Sequence, residues 1–184
     1  MSLMELIIGP MFSGKTSQLI KRYNDIKMTN TDNKLLVINH IIDSHRYKNN
    51  SVVSHDGVEI PSLSITKLSE ANEIIETNKI LEYIFINEGQ FFEDLHKWVT
   101  NILETTNINI IICGLDSDYK REKFGQIWNL IPHANHIDKL CGTCSNCSNK
   151  SIFTHRITED KGQVVVGTVN YIPVCRTCYT KLNS

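Results

Sequence analysis

Residues 9–16 read GPMFSGKT, which matches the pattern G-x-x-x-x-G-K-[ST] of phosphate-binding loops. An apolar strand pattern at residues 3–8 precedes the loop, and a helical pattern at 17–26 follows it. In that context, successive backbone N–H groups of the loop point into one concavity, and the N-terminus of the following helix adds its positive dipole end. Such a concavity binds β- and γ-phosphates. Lys15 would neutralise the phosphates and the Thr16 hydroxyl would bind Mg²⁺. A glycine-bounded turn is the alternative, and the flanking strand and helix argue against it. The candidate phosphate-binding residues are Gly9, Pro10, Met11, Phe12, Ser13, Gly14, Lys15 and Thr16.

Apolar runs of strand length recur along the first three quarters of the chain, at residues 34–41, 81–86 and 108–113. Helical patterns at 67–77 and from Leu95 to Ile102 alternate with them, and an Asp-Gly pair centres a predicted hairpin at 52–60. This alternation predicts an α/β fold: a three-layer phosphate-loop domain with a mainly parallel sheet. Ligands of such folds bind at the carboxyl ends of the strands.

The composition is that of a globular protein, with 184 residues, 41% hydrophobic and 21% charged. The formal net charge is −1 and the basic residues are dispersed, which argues against nucleic-acid and membrane partners. From the sequence we expect no signal peptide, and we find no apolar run of about 20 residues. We therefore expect a soluble, cytoplasmic protein that acts on small molecules.

Five of the six cysteines fall within the last 44 positions, in C-x-x-C spacing. Cys144 with Cys147, and Cys175 with Cys178, form two thiolate pairs that suit a tetrahedral, structural Zn²⁺. Cys141 and Cys144 form an equally good pair, so spacing alone leaves the ligand set open. We expect residues 1–140 to form the nucleotide-binding domain and residues 141–184 a small zinc-binding domain.

Glu88 follows the predicted strand at 81–86. A carboxylate there can hold magnesium or accept the proton of an attacking hydroxyl during phosphoryl transfer, although solvated acidic residues are also common at helix starts. Nearby aromatic residues could enclose a base, or could simply be core: Phe91, Phe92, Tyr119 and Phe124. After the second strand, Asp43, His45 and Arg46 could orient a substrate, or could be surface charges.

Several motifs together resemble the type II thymidine kinases, cellular and viral. They are GPMFSGKT at 9–16, NEGQFF at 87–92, GLD at 114–116, Phe124-Gly125 and VCRTCY at 174–179. The resemblance implies transfer of the γ-phosphate of ATP to the 5′-hydroxyl of thymidine, with deoxyuridine as a possible further substrate. It also implies Mg²⁺ with ATP, a structural Zn²⁺, a homotetramer and feedback inhibition by dTTP.

The resemblance assigns roles to individual residues. Glu88 would be the catalytic base, with Asn87 and Gln90 beside the phosphates. Zinc would be held by Cys144, Cys147, Cys175 and Cys178, which leaves Cys141 spare, and the loop at 148–174 would be a lid (a lasso loop) over the base. The nucleoside would meet Met11, Asp43, Arg46, Phe91, Leu115, Tyr119, Phe124, Thr154, Val164, Val165, Val166, Gly167 and Tyr171.

The chain departs from the family pattern in three places. Asn87 stands where the family commonly has Asp, so Mg²⁺ would be held mainly by Thr16, phosphates and water, and Asn87→Asp would lower the Mg²⁺ requirement. The family's D-x-R is one residue longer here, from Asp43 to Arg46. A Gly-Gly pair in the lid is replaced by Val166-Gly167.

Two other classes of protein share parts of this pattern. A GTPase-like switch would carry an N/T-K-x-D guanine-reading motif, which the sequence lacks. A zinc-ribbon ATPase that binds nucleic acid would carry a basic face, and the balanced charge argues against it.

Overall fold

The structure, a computed structural model, describes residues 1–43, 50–160, 162–165 and 168–184. Its centre is a six-stranded sheet in the order β5-β2-β6-β7-β1-β8. All five strand pairings are parallel, which confirms the predicted α/β class. The strands of this sheet are β1 (Met4–Gly9), β2 (Leu35–His40), β5 (Leu63–Ile65), β6 (Tyr83–Ile86), β7 (Asn109–Leu115) and β8 (His136–Lys139).

Helices cover both faces of the sheet. On one face, helix α1 (Lys15–Lys27) packs Leu19, Ile20 and Tyr23 onto the strands. On the other face, α2 (Asn72–Thr77) lies near α3 (Leu95–Thr105), which inserts Trp98 and Val99. Alternate residues of β7 serve the two cores, because successive side chains of a strand point to opposite faces. The three-layer arrangement follows from this alternation.

A short hairpin leaves the sheet after β2, where Asp-Gly predicts one. Strand β3 (Ser51–Val53) pairs antiparallel with β4 (Glu59–Pro61), and the Gly57 N–H donates to the Ser54 carbonyl at 3.0 Å to close the turn. Val52 and Ile60 anchor the hairpin in the core beneath α1.

Three features of the sheet region differ from the sequence-based expectation. Strand β5 has only three residues, and the edge strand β8 is largely exposed, so neither presents the apolar run of a buried strand. The helix predicted at 67–77 is a 3₁₀ turn at Leu68–Ala71 followed by the short α2.

The described residues after 140 form small paired strands and a short α-helix. Strand β9 (Gly142–Thr143) pairs with β10 (Lys150–Ser151), and β11 (Phe153–Arg156) pairs with β12 (Tyr171–Val174). Helix α4 (Arg176–Leu182) follows, and Tyr179 from it packs with Val174 in a separate small core. Among the described residues, no helix has both the length and the apolar character needed to cross a membrane.

Candidate functional site

The phosphate-binding motif turns between β1 and α1. Gly14 adopts φ of 82°, a left-handed conformation that glycine takes without strain, and α1 begins at the next residue. Lys15 is buried, and its Nζ donates to the Pro10 carbonyl at 2.6 Å. Burial lowers the pKa of Lys15, while the charge of Glu88 acts in the opposite direction. A bound anion would stabilise this buried ammonium, as a phosphate site requires.

Glu88 follows β6 and Asn87, and its φ of 54° is unusual for a residue other than glycine. Its Oε2 accepts a hydrogen bond from Gln90 Nε2 at 2.5 Å. Gln90 Oε1 in turn accepts the N–H of Leu115, the last residue of the neighbouring strand β7, at 3.0 Å. Gln90 therefore ties the Glu88 carboxylate to the end of β7, and the strained backbone of Glu88 is typical of functional positions.

A cavity at the carboxyl ends of the strands is lined by most of the predicted site residues. The predicted residues that line it are Met11, Phe12, Ser13, Gly14, Lys15, Thr16, Asp43, Glu88, Phe91, Leu115, Phe124, Val164, Val165 and Tyr171. It is also lined by residues that we did not predict: Ser17, Val53, His55 and Gln163. Val53 and His55 belong to the hairpin region after β2, and no sequence pattern predicts that this region lies beside the cavity.

The aromatic candidates separate into two groups. Phe91 and Phe124 meet edge to face, with ring centroids 5.5 Å apart, and form one wall of the cavity. Phe92 instead belongs to the core and is fully buried against His40. Gly125, after Phe124, has φ of 60° and packs so tightly that a Cβ there would lie 2.1 Å from the Gln90 carbonyl oxygen.

Other predicted residues lie beside the cavity, outside its lining. Thr154 Oγ1 accepts the Met11 N–H at 2.9 Å and so joins β11 to the phosphate-binding loop. The Tyr119 ring lies 3.8 Å from the guanidinium carbon of Arg156. Gly9 and Pro10 begin the phosphate-binding loop, and Gln90 supports Glu88. The predicted residues Arg46, Val166 and Gly167, with His45, lie outside the described residues.

Asn87 belongs to a buried polar network behind the cavity. Its Nδ2 donates to Asn39 Oδ1 at 3.0 Å and to Asp43 Oδ2 at 3.4 Å. Asn39 Nδ2 donates to the same Asp43 oxygen at 3.1 Å, and the Cys113 thiol donates to Asn87 Oδ1 at 3.0 Å. Burial raises the pKa of Cys113 to about 12, so this thiol stays protonated and acts as a donor. Both ends of the Asn87 amide are therefore engaged inside the protein.

Four cysteine sulfurs meet in the small C-terminal region. Their Sγ atoms all lie within 4.8 Å of one another, and Cys147 Sγ is 3.6 Å from those of both Cys175 and Cys178. Tetrahedral Zn²⁺ with Zn–S bonds of about 2.3 Å separates its sulfurs by about 3.8 Å, so the cluster could hold zinc. The fourth member is Cys144, whereas Cys141 is exposed and outside the cluster.

Comparisons with known proteins point in the same direction as this geometry. A family model described as thymidine kinase matches residues 2–179. A thymidine kinase of Yaba monkey tumor virus is 36% identical over 184 residues, covering 97% of this chain and 95% of its own. A thymidine kinase of Bacteroides thetaiotaomicron is 36% identical over 178 residues, 96% of this chain and 86% of that protein. A rice thymidine kinase is 36% identical over 177 residues; the match takes in 95% of this chain but only 65% of the rice protein's length.

Proposed function

Since this chain belongs to the thymidine kinase family, we propose that it transfers the γ-phosphate of ATP to the 5′-hydroxyl of thymidine, giving dTMP for nucleotide salvage. The observation that carries the proposal is one cavity lined both by the phosphate-binding loop and by Glu88 and Phe91. A phosphate donor and a nucleoside acceptor can meet there. Deoxyuridine, which lacks only the base methyl group, is a further candidate substrate.

The phosphate end of the cavity is formed by the loop at residues 9–16. Its backbone N–H groups and Lys15 would hold the β- and γ-phosphates. The Thr16 hydroxyl would hold Mg²⁺, which neutralises charge on the transferring phosphoryl group. No residue needs to form a covalent bond, because catalysis of phosphoryl transfer consists largely of positioning and electrostatic stabilisation.

Glu88 is the group that we assign to the acceptor hydroxyl. Its carboxylate lines the cavity and is oriented by Gln90, so it can accept the 5′-hydroxyl proton as the bond to phosphorus forms. The edge-to-face pair of Phe91 and Phe124 provides an apolar wall for the sugar and base. Leu115 and Tyr171 would complete the nucleoside pocket.

We assign residues 1–140 to the kinase domain and 141–184 to a domain stapled by zinc through the four clustered cysteines. Zinc would act structurally, because four thiolates leave no open coordination position. We also propose a cytoplasmic homotetramer that dTTP inhibits by feedback.

The direct test is to incubate the zinc-loaded protein with ATP, Mg²⁺ and isotopically labelled thymidine and to detect labelled dTMP by mass spectrometry. Lys15→Met should lower the rate by about 100-fold or more, since it removes a preorganised charge from the transition state. Lys21→Met on the exposed face of α1 is the matched control and should leave the rate unchanged. Hydrolysis of ATP or GTP without any dTMP would refute the proposal in favour of an ATPase or a GTPase switch.

A further inference from the structure

Part of the cavity is covered by a segment between β11 and β12. We call Asp160 and residues 162–165 the cover segment. Gln163, Val164 and Val165 of this segment line the cavity. Since it has no regular secondary structure, other contacts must fix its backbone.

A single side chain, Arg156 at the end of β11, makes several of those contacts. Its Nη1 donates to the carbonyl oxygens of Asp160, at 2.9 Å, and of Gly162. Its Nη2 donates to the Gln163 carbonyl at 3.1 Å and to Tyr171 Oη at 2.5 Å. One planar group therefore binds three carbonyl groups of the cover segment and a tyrosine that lines the cavity. A lysine has one nitrogen and could not reproduce this fork.

The guanidinium is also held from its faces. Arg156 is only 5% exposed, and its guanidinium carbon lies 3.8 Å from the Tyr119 ring centroid and 5.0 Å from that of Tyr171. In the part of the chain that the structure describes, no carboxylate forms an ion pair with it. Carbonyl dipoles and ring faces replace water around the guanidinium charge. The cover segment therefore stabilises the position of Arg156, and Arg156 stabilises the position of the cover segment.

Two further hydrogen bonds extend the arrangement. The Val165 N–H donates to Tyr171 Oη at 3.2 Å, the same oxygen that accepts from Arg156. Gln163 Nε2 donates to Asp118 Oδ2 at 2.9 Å, in the loop that follows β7. The segment is thus fixed at both ends of its cavity-facing stretch.

We propose that Arg156 is a positioning residue for the nucleoside: it sets the backbone of the cover segment and the Tyr171 side chain at the nucleoside end of the cavity. The inference rests on the proposed function for the identity of the ligand. Arg156 does not line the cavity, so it acts through the residues that it holds. In the described part of the chain, the hydrogen bonds and ring contacts of the guanidinium go to residues outside the phosphate-binding loop, so binding of ATP should be independent of Arg156.

The test compares Arg156→Lys and Arg156→Met with the parent. Each variant loses charge-assisted hydrogen bonds, so the KM for thymidine should rise by about 10- to 100-fold while the KM for ATP stays within about twofold. Arg156→Lys should resemble Arg156→Met, since the fork carries the function. The matched control is Arg121→Met, because Arg121 stacks on the Tyr179 and Phe153 rings and does not bind the described cover segment.

Hydrogen exchange gives a readout independent of turnover. Exchange of the Val165 amide should accelerate in both Arg156 variants and stay unchanged in Arg121→Met, while zinc content stays at the parent level. Equal increases in both KM values, an unchanged KM for thymidine, or an unchanged exchange rate at Val165 would overturn the inference. A parent protein that makes no dTMP would refute the proposed function, whereas the exchange result would still judge the contact between Arg156 and the cover segment.

Discussion

Replacing Asn87 with aspartate tests how the buried network behind the cavity is held together. The Asn87 amide donates to Asp43 Oδ2 across 3.4 Å, and Asn87 is 1% exposed. In Asn87→Asp the donor becomes a second carboxylate facing the first. Family resemblance alone suggests that this change favours Mg²⁺ binding, whereas the structure indicates that it destabilises the protein.

The size of the effect follows from Coulomb's law. Two unit charges 3.4 Å apart repel by about 5 kcal/mol at an effective dielectric constant of about 20. Proton uptake and small shifts relieve part of that repulsion, so the free energy of unfolding should fall by about 3 kcal/mol. The double variant Asp43→Asn/Asn87→Asp keeps one carboxylate and one amide, and should recover to within about 1 kcal/mol of the parent.

The assay is urea unfolding of the zinc-loaded protein, followed by circular dichroism. Asn101→Asp, on the exposed face of α3, adds the same charge and should change stability by no more than about 0.5 kcal/mol. If Asn87→Asp is as stable as Asn101→Asp, or if the double variant is no more stable than Asn87→Asp, repulsion between residues 43 and 87 does not determine the stability of this network.

Three further outcomes follow from the structure. Cys147→Ser should lose zinc and unfold the small C-terminal region, whereas Cys141→Ser should retain zinc. Atomic absorption measures the zinc content and circular dichroism the folding, and zinc loss only in Cys141→Ser would reverse the assignment. Gly125→Ala should lower the free energy of unfolding by about 3 kcal/mol or more, because φ of Gly125 is 60° and the new Cβ would clash with the Gln90 carbonyl. Urea unfolding measures this, and a variant as stable as the parent would contradict it. With zinc bound at pH 8, iodoacetamide should label the exposed Cys141 and leave Cys113 unmodified, because burial raises the pKa of Cys113 to about 12. Peptide mass spectrometry identifies the labelled cysteine, and a labelled Cys113 beside an unmodified Cys141 would contradict the burial of Cys113.

The parts of this fold that sequence predicted are those with strong local signals. Strands buried on both faces are predominantly apolar, so β1, β2, β6 and β7 could be recognised. The exposed edge strand β8 and the three-residue β5 carry no such signal. The cysteine pairs could be recognised because metal coordination imposes a spacing on the chain itself.

The site was predicted less completely, for physical reasons. Glu88 and the phosphate-binding loop both follow apolar strands, where the functional residues of such folds lie, so their positions in the sequence already indicate them. Arg156 binds backbone carbonyl groups, which every residue has, and its partners therefore leave no side-chain pattern. The Asn87 amide could equally face a phosphate, and only the packing around Asn39 and Cys113 shows its partners.

The turnover of Glu88→Gln measures the central claim, that phosphoryl transfer in this cavity uses Glu88 as the base. The amide keeps the size of the side chain but cannot accept the proton. With ATP and thymidine saturating, kcat should therefore fall by about 10²- to 10⁴-fold, and the KM for ATP should stay near the parent value. Glu93→Gln, an exposed carboxylate five residues beyond Glu88, is the matched control and should turn over like the parent. A Glu88→Gln enzyme with kcat within about threefold of the parent would show that Glu88 is not the base.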